Sequence, residues 1–150
     1  MTRNYFKNFI FYLVPFVCGL ISTLSLPPYN LFYLNFISFP FLLLFYLNLE
    51  IKKSFPSFLY GWIFGFAYFV SNIYWIANSL TVEEIFKSLI PFAITIIPLF
   101  LGIFYGISFL IFSYFKPKKK VESILLFALI FSFIEYLRGH ILGGFPWNLI

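Results

Sequence analysis

The sequence predicts an all-α integral membrane protein of about five transmembrane helices, with its N-terminus cytoplasmic and its C-terminal motif on the outer face. Three observations carry that expectation. Apolar residues make up 62% of the 150-residue chain and charged residues only 10%, more apolar surface than a water-soluble domain of this length can bury. Apolar runs recur, several of them near the ~20 residues a helix needs to cross a bilayer, and none alternates with the period of two that a membrane barrel requires. Cations collect in every second break between those runs.

The spans follow in order. Arg3 and Lys7 precede an apolar run over residues 9–26, which has the charged start and apolar middle of a secretory signal peptide. Pro27-Pro28 follows at once and no A-x-A cleavage pattern is present, so the run reads as a retained first span. Pro27-Pro28-Tyr29-Asn30 is a turn signal, because neither proline continues a helix and Asn suits the exit. The second span then runs back over residues 31–49, with Pro40 expected to kink it. Glu50-Ile51-Lys52-Lys53-Ser54 breaks the chain again, and Pro56 sits where the first turn of a helix tolerates proline.

The third span is expected over residues 55–79. Advancing each residue by about 100° brings Gly61, Gly65, Tyr68, Asn72, Trp75 and Ser79 close together. That small, polar face serves either as a packing seam inside the bundle or as the wall of a substrate groove. Gly61 and Gly65 form a G-x-x-x-G pair that permits close helix contact, and Asn72 is a candidate for interhelical hydrogen bonding. Thr81-Val82-Glu83-Glu84 has the spacing of a capping box and opens a short interfacial turn. The fourth span covers residues 89–115 and contains Pro98 and a second pair, Gly102-x-x-x-Gly106. Two such pairs on neighbouring spans suggest that those spans touch. Lys116-Pro117-Lys118-Lys119-Lys120 closes the fourth span, and the fifth covers residues 121–137.

With the N-terminus inside, Arg3, Lys7, Lys52, Lys53, Lys116, Lys118, Lys119 and Lys120 are all cytoplasmic, and only Lys87 and Arg138 fall outside. Excess Lys and Arg marks the cytoplasmic side, so the reverse orientation is disfavoured. The Lys cluster would also attract anionic lipid, although topology alone accounts for it. The net charge of +5 does not point to nucleic acid, since the cations lie between apolar runs and no aromatic-basic groove accompanies them.

Few residues invite chemistry. The single Cys18 lies within the first run, where no partner for a disulfide or metal cluster exists and apolar surroundings disfavour the nucleophilic thiolate. It reads as structural. Lipid-facing positions accept any large apolar side chain, so the 25 Phe residues read as compositional bias rather than a binding device. Glu135 is different: a carboxylate within an apolar run is costly and usually faces a partner, a cavity or a function. Arg138, three residues on, lies on the same helix face and can pair with it, or it can offer its planar donor fork to a phosphate oxygen of a lipid or substrate. His140 has no second His or Cys with which to share a metal and reads as interfacial. Gly139, Gly143 and Gly144 allow a tight, left-handed path. Pro146 prevents a helix from continuing, and Trp147 suits the membrane-water boundary.

These residues carry a family resemblance. Glu135-x-x-Arg138-Gly139, followed by Gly144-Phe145-Pro146-Trp147, resembles the signature at the end of the fifth membrane helix of bacterial apolipoprotein N-acyltransferases. Gly19 through Leu26-Pro27-Pro28-Tyr29-Asn30 resembles the family's first turn, and Gly61-x-x-x-Gly65-x-x-x-Phe69 leading to Tyr74-Trp75-Ile76 resembles its third helix. The resemblance implies a multi-pass enzyme of the bacterial cytoplasmic (inner) membrane, with eight membrane helices and a nitrilase-like domain on the outer face. Its partners would be a phospholipid acyl donor and a diacylated lipoprotein acceptor, with no cofactor. A cysteine of the nitrilase-like domain would attack the phospholipid ester, a glutamate would serve as base and a lysine would support the oxyanion, so that the acyl chain passes through a thioester.

None of those three catalytic residues falls within these 150 residues, which read as an N-terminal fragment. The resemblance makes neither Cys18 the nucleophile nor Glu135 the base. It assigns Trp75, Glu135, Arg138, Gly144, Phe145, Pro146 and Trp147 to support or to lipid contact. The rival class is a small polytopic transporter or scaffold, which would show broken helices at the midplane of related halves. Pro40 and Pro98 are present, but there is no internal repeat and no second carboxylate within an apolar run.

Overall fold

The computed structural model describes residues 2–49, 51, 54–73, 81, 84–115, 117 and 119–141. Among them the regular structure is helical throughout. Helix α1 (Thr2–Thr23) leads through a 3₁₀ turn (Phe32–Leu34) into α2 (Asn35–Asn48); α3 (Ser54–Asn72) follows, then a second 3₁₀ turn (Glu84–Leu89), α4 (Ile90–Phe115) and α5 (Lys120–Ile141). Two stretches, Lys87–Phe115 and Lys120–Ile141, are long and apolar enough to cross a membrane, with mean hydropathies of 2.3 and 1.6; the apolar helices Phe9–Thr23 and Phe32–Asn48 are shorter.

Local chemistry explains the element boundaries. Pro56 lies in the first turn of α3, where the missing N–H would have been unpaired anyway. Between α1 and α2 the Pro27-Pro28 peptide bond is cis and Asn30 has φ 57°, a left-handed conformation that Asn tolerates better than most residues. The Leu31 N–H donates to the Leu24 carbonyl at 2.9 Å and closes the turn. Pro15, Pro40 and Pro98 all lie inside helices. Proline in a membrane helix is tolerated where neighbouring helices and hydroxyl side chains satisfy the freed backbone groups.

Helix α3 sits in the middle, between α1 and α4. Phe11 meets Tyr60 and Gly19 faces the backbone of Phe64 and Tyr68, so α1 and α3 run in the same direction. A Cβ added to Gly65 would lie 2.8 Å from the Gly102 Cα, one added to Gly61 would collide with the Tyr105 carbonyl, and one added to Gly106 would lie 2.6 Å from the Phe58 ring. The two G-x-x-x-G pairs therefore meet as the sequence suggests, antiparallel, with backbones too close for any side chain between them. This makes the face of Gly61, Gly65 and Tyr68 a packing seam.

Aromatic side chains fill the remaining interior. Tyr46, Tyr60, Phe64, Phe69, Tyr105, Phe109 and Phe112 are fully buried; Tyr105 stacks on Phe69 at 5.3 Å and on Phe131 at 4.8 Å, linking α3, α4 and α5. Such pairs contribute ~0.5–1.5 kcal/mol each beyond area burial. The Phe residues thus include core packing groups as well as exposed ones. Phe36, Phe55 and Phe92 are exposed, as the compositional reading expects, while others of the same type are core. Composition cannot separate the two groups, because a bilayer and a bundle interior accept the same side chain.

Hydrogen bonds pin neighbouring helices at defined heights. The Ser38 hydroxyl donates to the Cys18 carbonyl at 3.1 Å and lies 2.7 Å from the Ser22 hydroxyl, joining α1 and α2. Tyr46 donates to the Ser57 hydroxyl at 2.7 Å and Tyr60 to the Leu42 carbonyl at 3.1 Å, joining α2 and α3. Trp62 Nε1 donates to the Leu99 carbonyl at 3.0 Å across the α3–α4 seam. Interhelical bonds of this kind average ~0.6 kcal/mol in membranes. Asn72 does not join this set: its Nδ2 is buried without a hydrogen-bond partner. It lies in the last turn of α3, where it lines the same cavity as Thr23 and Ser71.

Candidate functional site

The site expected from the sequence lies at the end of α5. Glu135 and Arg138 are described; Trp75, Gly144, Phe145, Pro146 and Trp147, together with Ser79 and Gly143, lie outside the described residues. Helix α5 runs to Ile141 rather than stopping near Leu137, so Arg138, Gly139 and His140 are helical. This corrects the expectation that Gly139 begins a left-handed path. Gly inside a helix costs only ~1 kcal/mol relative to Ala, and two features favour continuation. Arg138 occupies the last turn, where a cation complements the helix dipole. His140 also donates from Nδ1 to the Tyr136 carbonyl at 2.8 Å, and its ring packs 4.1 Å from that of Tyr136. It is exposed, in keeping with an interfacial position.

Glu135 and Arg138 pair with each other. Arg138 Nε donates to Glu135 Oε1 at 3.1 Å and Nη2 to Oε2 at 3.0 Å, the two-pronged geometry that makes guanidinium-carboxylate pairs strong and directional. Arg138 is 0% exposed and Glu135 8%, so water does little to screen the pair. The Arg138 guanidinium sits 5.1 Å from the centroid of the Phe69 ring on α3, close enough for cation–π attraction. Tyr68 lies within electrostatic reach of both charges. The Tyr105 hydroxyl, buried on α4, faces the Glu135 carboxylate without completing a hydrogen bond of ordinary geometry. One helix thus supplies two charges, and two others supply the aromatic walls that fix them.

The sequence reading named Tyr68 and Phe69 but passed over Tyr105. The signal was present: Tyr105 stands three residues after Gly102 and one before Gly106, on a helix expected to pack at those glycines. Cys18 is buried and free in α1, where its backbone carbonyl accepts from Ser38.

Hollows flank the bundle, among them an apolar one of about 220 Å³ between α1 and α2 that Cys18 and Ser38 line. A cavity of about 410 Å³ lies where α1 and α3 end, under the Pro27-Pro28 turn, with Thr23, Ser71 and Asn72 in its wall. A larger apolar groove of about 680 Å³ runs between α2 and α5. Among the described residues no group of three His, Cys, Asp or Glu side chains comes together as a metal would require.

Residues 18–150 match the family described as the apolipoprotein N-acyltransferase N-terminal domain. The apolipoprotein N-acyltransferase of Brucella suis biovar 1 (strain 1330) is 35% identical over 146 residues, covering 92% of this chain and 27% of that protein. That of Brucella melitensis biotype 1 is 36% identical over 147 residues with the same coverage. That of Sinorhizobium medicae (strain WSM419) is 35% identical over 145 residues, covering 91% and 27%. The chain spans about a quarter of the length of the curated relatives it matches. With that match covering the Glu135–Arg138 pair, the glycine seam and the first turn alike, the chain belongs to the apolipoprotein N-acyltransferase family and carries its N-terminal domain.

Proposed function

We propose that this chain is the N-terminal transmembrane domain of an apolipoprotein N-acyltransferase, a multi-pass protein of the bacterial inner membrane. The enzyme would transfer an acyl chain from phospholipid to the N-terminal diacylglyceryl-cysteine of lipoproteins through a cysteine thioester. The observation that carries this reading is the family match over residues 18–150. Two features of the bundle agree with a supporting rather than a catalytic role. Its one thiol is buried between α1 and α2, and the carboxylate of Glu135, the buried one among the described residues, is held on both oxygens by Arg138. The domain would hold a nitrilase-like catalytic domain at the outer surface and form part of the lateral groove through which phospholipid and lipoprotein enter.

In this reading five helices cross the membrane with the N-terminus cytoplasmic. The apolar surface supports a lipid setting: Phe36, Phe55, Ile85 and Leu129, on four different elements, are each about 70% exposed or more. Glu135 and Arg138 fix the end of α5, while Trp75, Gly144, Phe145, Pro146 and Trp147 support the catalytic domain or touch lipid.

The test uses residues 1–150 and the full-length gene product, each in phospholipid vesicles with a diacylated lipopeptide. The full-length protein is expected to form a hydroxylamine-labile acyl thioester and to acylate the peptide; the isolated chain is expected to do neither. Acylation of Cys18 in the isolated chain would overturn the proposal. For orientation, a Trp147→Cys variant is expected to react with a membrane-impermeant maleimide from the outer side, and labelling from the cytoplasmic side alone would refute that arrangement.

A further inference from the structure

The hollow of about 410 Å³ under the Pro27-Pro28 turn joins polar groups from two helix ends. Thr23 on α1 and Ser71 and Asn72 on α3 meet Pro27, Pro28 and Tyr29 in its wall. The Thr23 hydroxyl donates to the Gly19 carbonyl at 3.1 Å and the Ser71 hydroxyl to the Ala67 carbonyl at 3.0 Å, so each proton is used within its own helix. Asn72 differs. Its Nδ2 is buried and has no hydrogen-bond partner, and an unmet buried donor is costly enough to call for an acceptor. The last torsion of an amide side chain is broad, so rotation about it can turn that N–H into the hollow.

The charge of the wall limits what the acceptor is. Among the described residues no ionised side chain lines the hollow. A phosphate would find one neutral donor and no cation, and an ammonium no carboxylate, so either would lose more hydration than it regained. An uncharged carbonyl oxygen meets the demand with one hydrogen bond. Its height points to one kind of carbonyl. The ends of membrane helices lie at the boundary between hydrocarbon and headgroups, where the glycerol esters of a bilayer lipid also lie.

An apolar track leads away from the hollow. Leu20 lines it, and Phe9, Leu13, Phe16 and Leu20 are all exposed on α1, spaced so that they share one face of the helix. From Leu20 the stripe descends about 16 Å to Phe9, close to the depth of one leaflet in a hydrocarbon core ~30 Å thick. The polar hollow and the stripe below it thus match an ester group and the acyl chain attached to it.

We propose that the hollow between the ends of α1 and α3 seats the glycerol-ester carbonyl of a bilayer diacyl lipid, with the Asn72 amide as its donor and the stripe of Phe9, Leu13, Phe16 and Leu20 as the bed of its acyl chain. The lipid is held and not consumed. The proposal therefore rests on the membrane setting proposed above and is independent of acyl transfer.

The test uses the full-length gene product in vesicles of equal parts diester phosphatidylcholine and its diether analogue, which lacks both ester carbonyls. A benzophenone amino acid replaces Tyr29, at the mouth of the hollow, or Phe92, exposed on α4, as the control. After irradiation, mass spectrometry counts the two lipid adducts. At Tyr29 the diester adduct is expected to exceed the diether adduct about fivefold, the ratio that one ordinary hydrogen bond gives. Asn72→Leu is expected to bring the two to parity, and at Phe92 parity is expected in both proteins. Parity at Tyr29 with Asn72 in place would overturn the proposal and leave the hollow to water, whatever Asn72→Leu does to folding. A preference that survives Asn72→Leu would overturn it too, as would Tyr29 adducts to protein instead of lipid. Acylation of a diacylated lipopeptide, measured on the same samples, keeps the two readings apart: a protein that acylates yet shows parity at Tyr29 sinks the lipid seat alone.

Discussion

The α3–α4 seam and the α2–α5 flank use similar residue types to opposite ends. Along the seam, glycines bring two backbones together so closely that a Cβ on Gly65 would lie 2.8 Å from the Gly102 Cα. Along the flank, small residues face a groove of about 680 Å³. Lipid tails are as apolar as any side chain, so helices in a bilayer gain little from hiding apolar surface from each other. What holds them is close fit and satisfied polar groups. The seam has both, with Trp62 donating across it to the Leu99 carbonyl. The flank has a buried Asn35 Oδ1 without a hydrogen-bond partner and an open groove. Helix α5 joins the two regions: Arg138 and Phe131 lock one face onto α3 and α4, while Ala128 and Ser132 turn the other to the groove.

The largest expected effect comes from unlocking the held face of α5. Arg138→Met leaves the buried Glu135 carboxylate without its guanidinium, and breaking a buried pair from one side costs ~3–5 kcal/mol. Denaturation of the chain in mild detergent, followed by tryptophan fluorescence, is expected to show that loss. Glu135→Leu combined with Arg138→Met is expected to recover most of it, because replacing both charges by apolar groups of similar volume is often neutral. If the double variant is as unstable as the single one, the pair is not what fastens α5.

Next in size is the seam itself. Gly65→Ala places a methyl group against the Gly102 Cα and the Tyr105 ring, and overpacking of this kind costs ~1–3 kcal/mol. Ser132→Ala is the matching change on the flank, and it removes no contact that the structure records. The same denaturation series is expected to separate the two variants clearly. Equal midpoints would show that the seam is looser than its geometry implies.

How much of this was legible depends on how local the signal is. The seam could be read because G-x-x-x-G is a spacing on one helix, and the two copies fall on neighbouring spans. The Glu135–Arg138 pair could be read because i, i+3 residues share a face whatever surrounds them. The Ser22–Ser38 contact and the buried Phe residues could not, since each depends on which helix lies opposite, and an apolar chain gives no polar stripe to say so. Asn72 misled for the same reason: what an amide on a helix face pairs with is decided by what lies opposite. The fifth helix extends past residue 137 to Ile141, because Arg138 is fixed by Glu135 and Phe69, contacts that a span length read from apolar residues does not register.

The smallest effect is the one that most sharpens the comparison. Phe36 is 76% exposed on the groove wall, and substitutions at such positions usually change stability by no more than ~0.5 kcal/mol. Phe36→Ala in the isolated chain is therefore expected to leave the detergent denaturation midpoint nearly unchanged. If the rest of a longer family protein covers the groove, the same substitution there would remove a buried aromatic contact, and truncation of a buried Phe costs ~3–5 kcal/mol. Measuring both in one detergent turns a near-zero result into information. A shift confined to the full-length protein means that the groove is an interface left vacant by the first 150 residues. No shift in either means that the groove belongs to lipid, and that seam and flank differ because only one of them was ever meant to close.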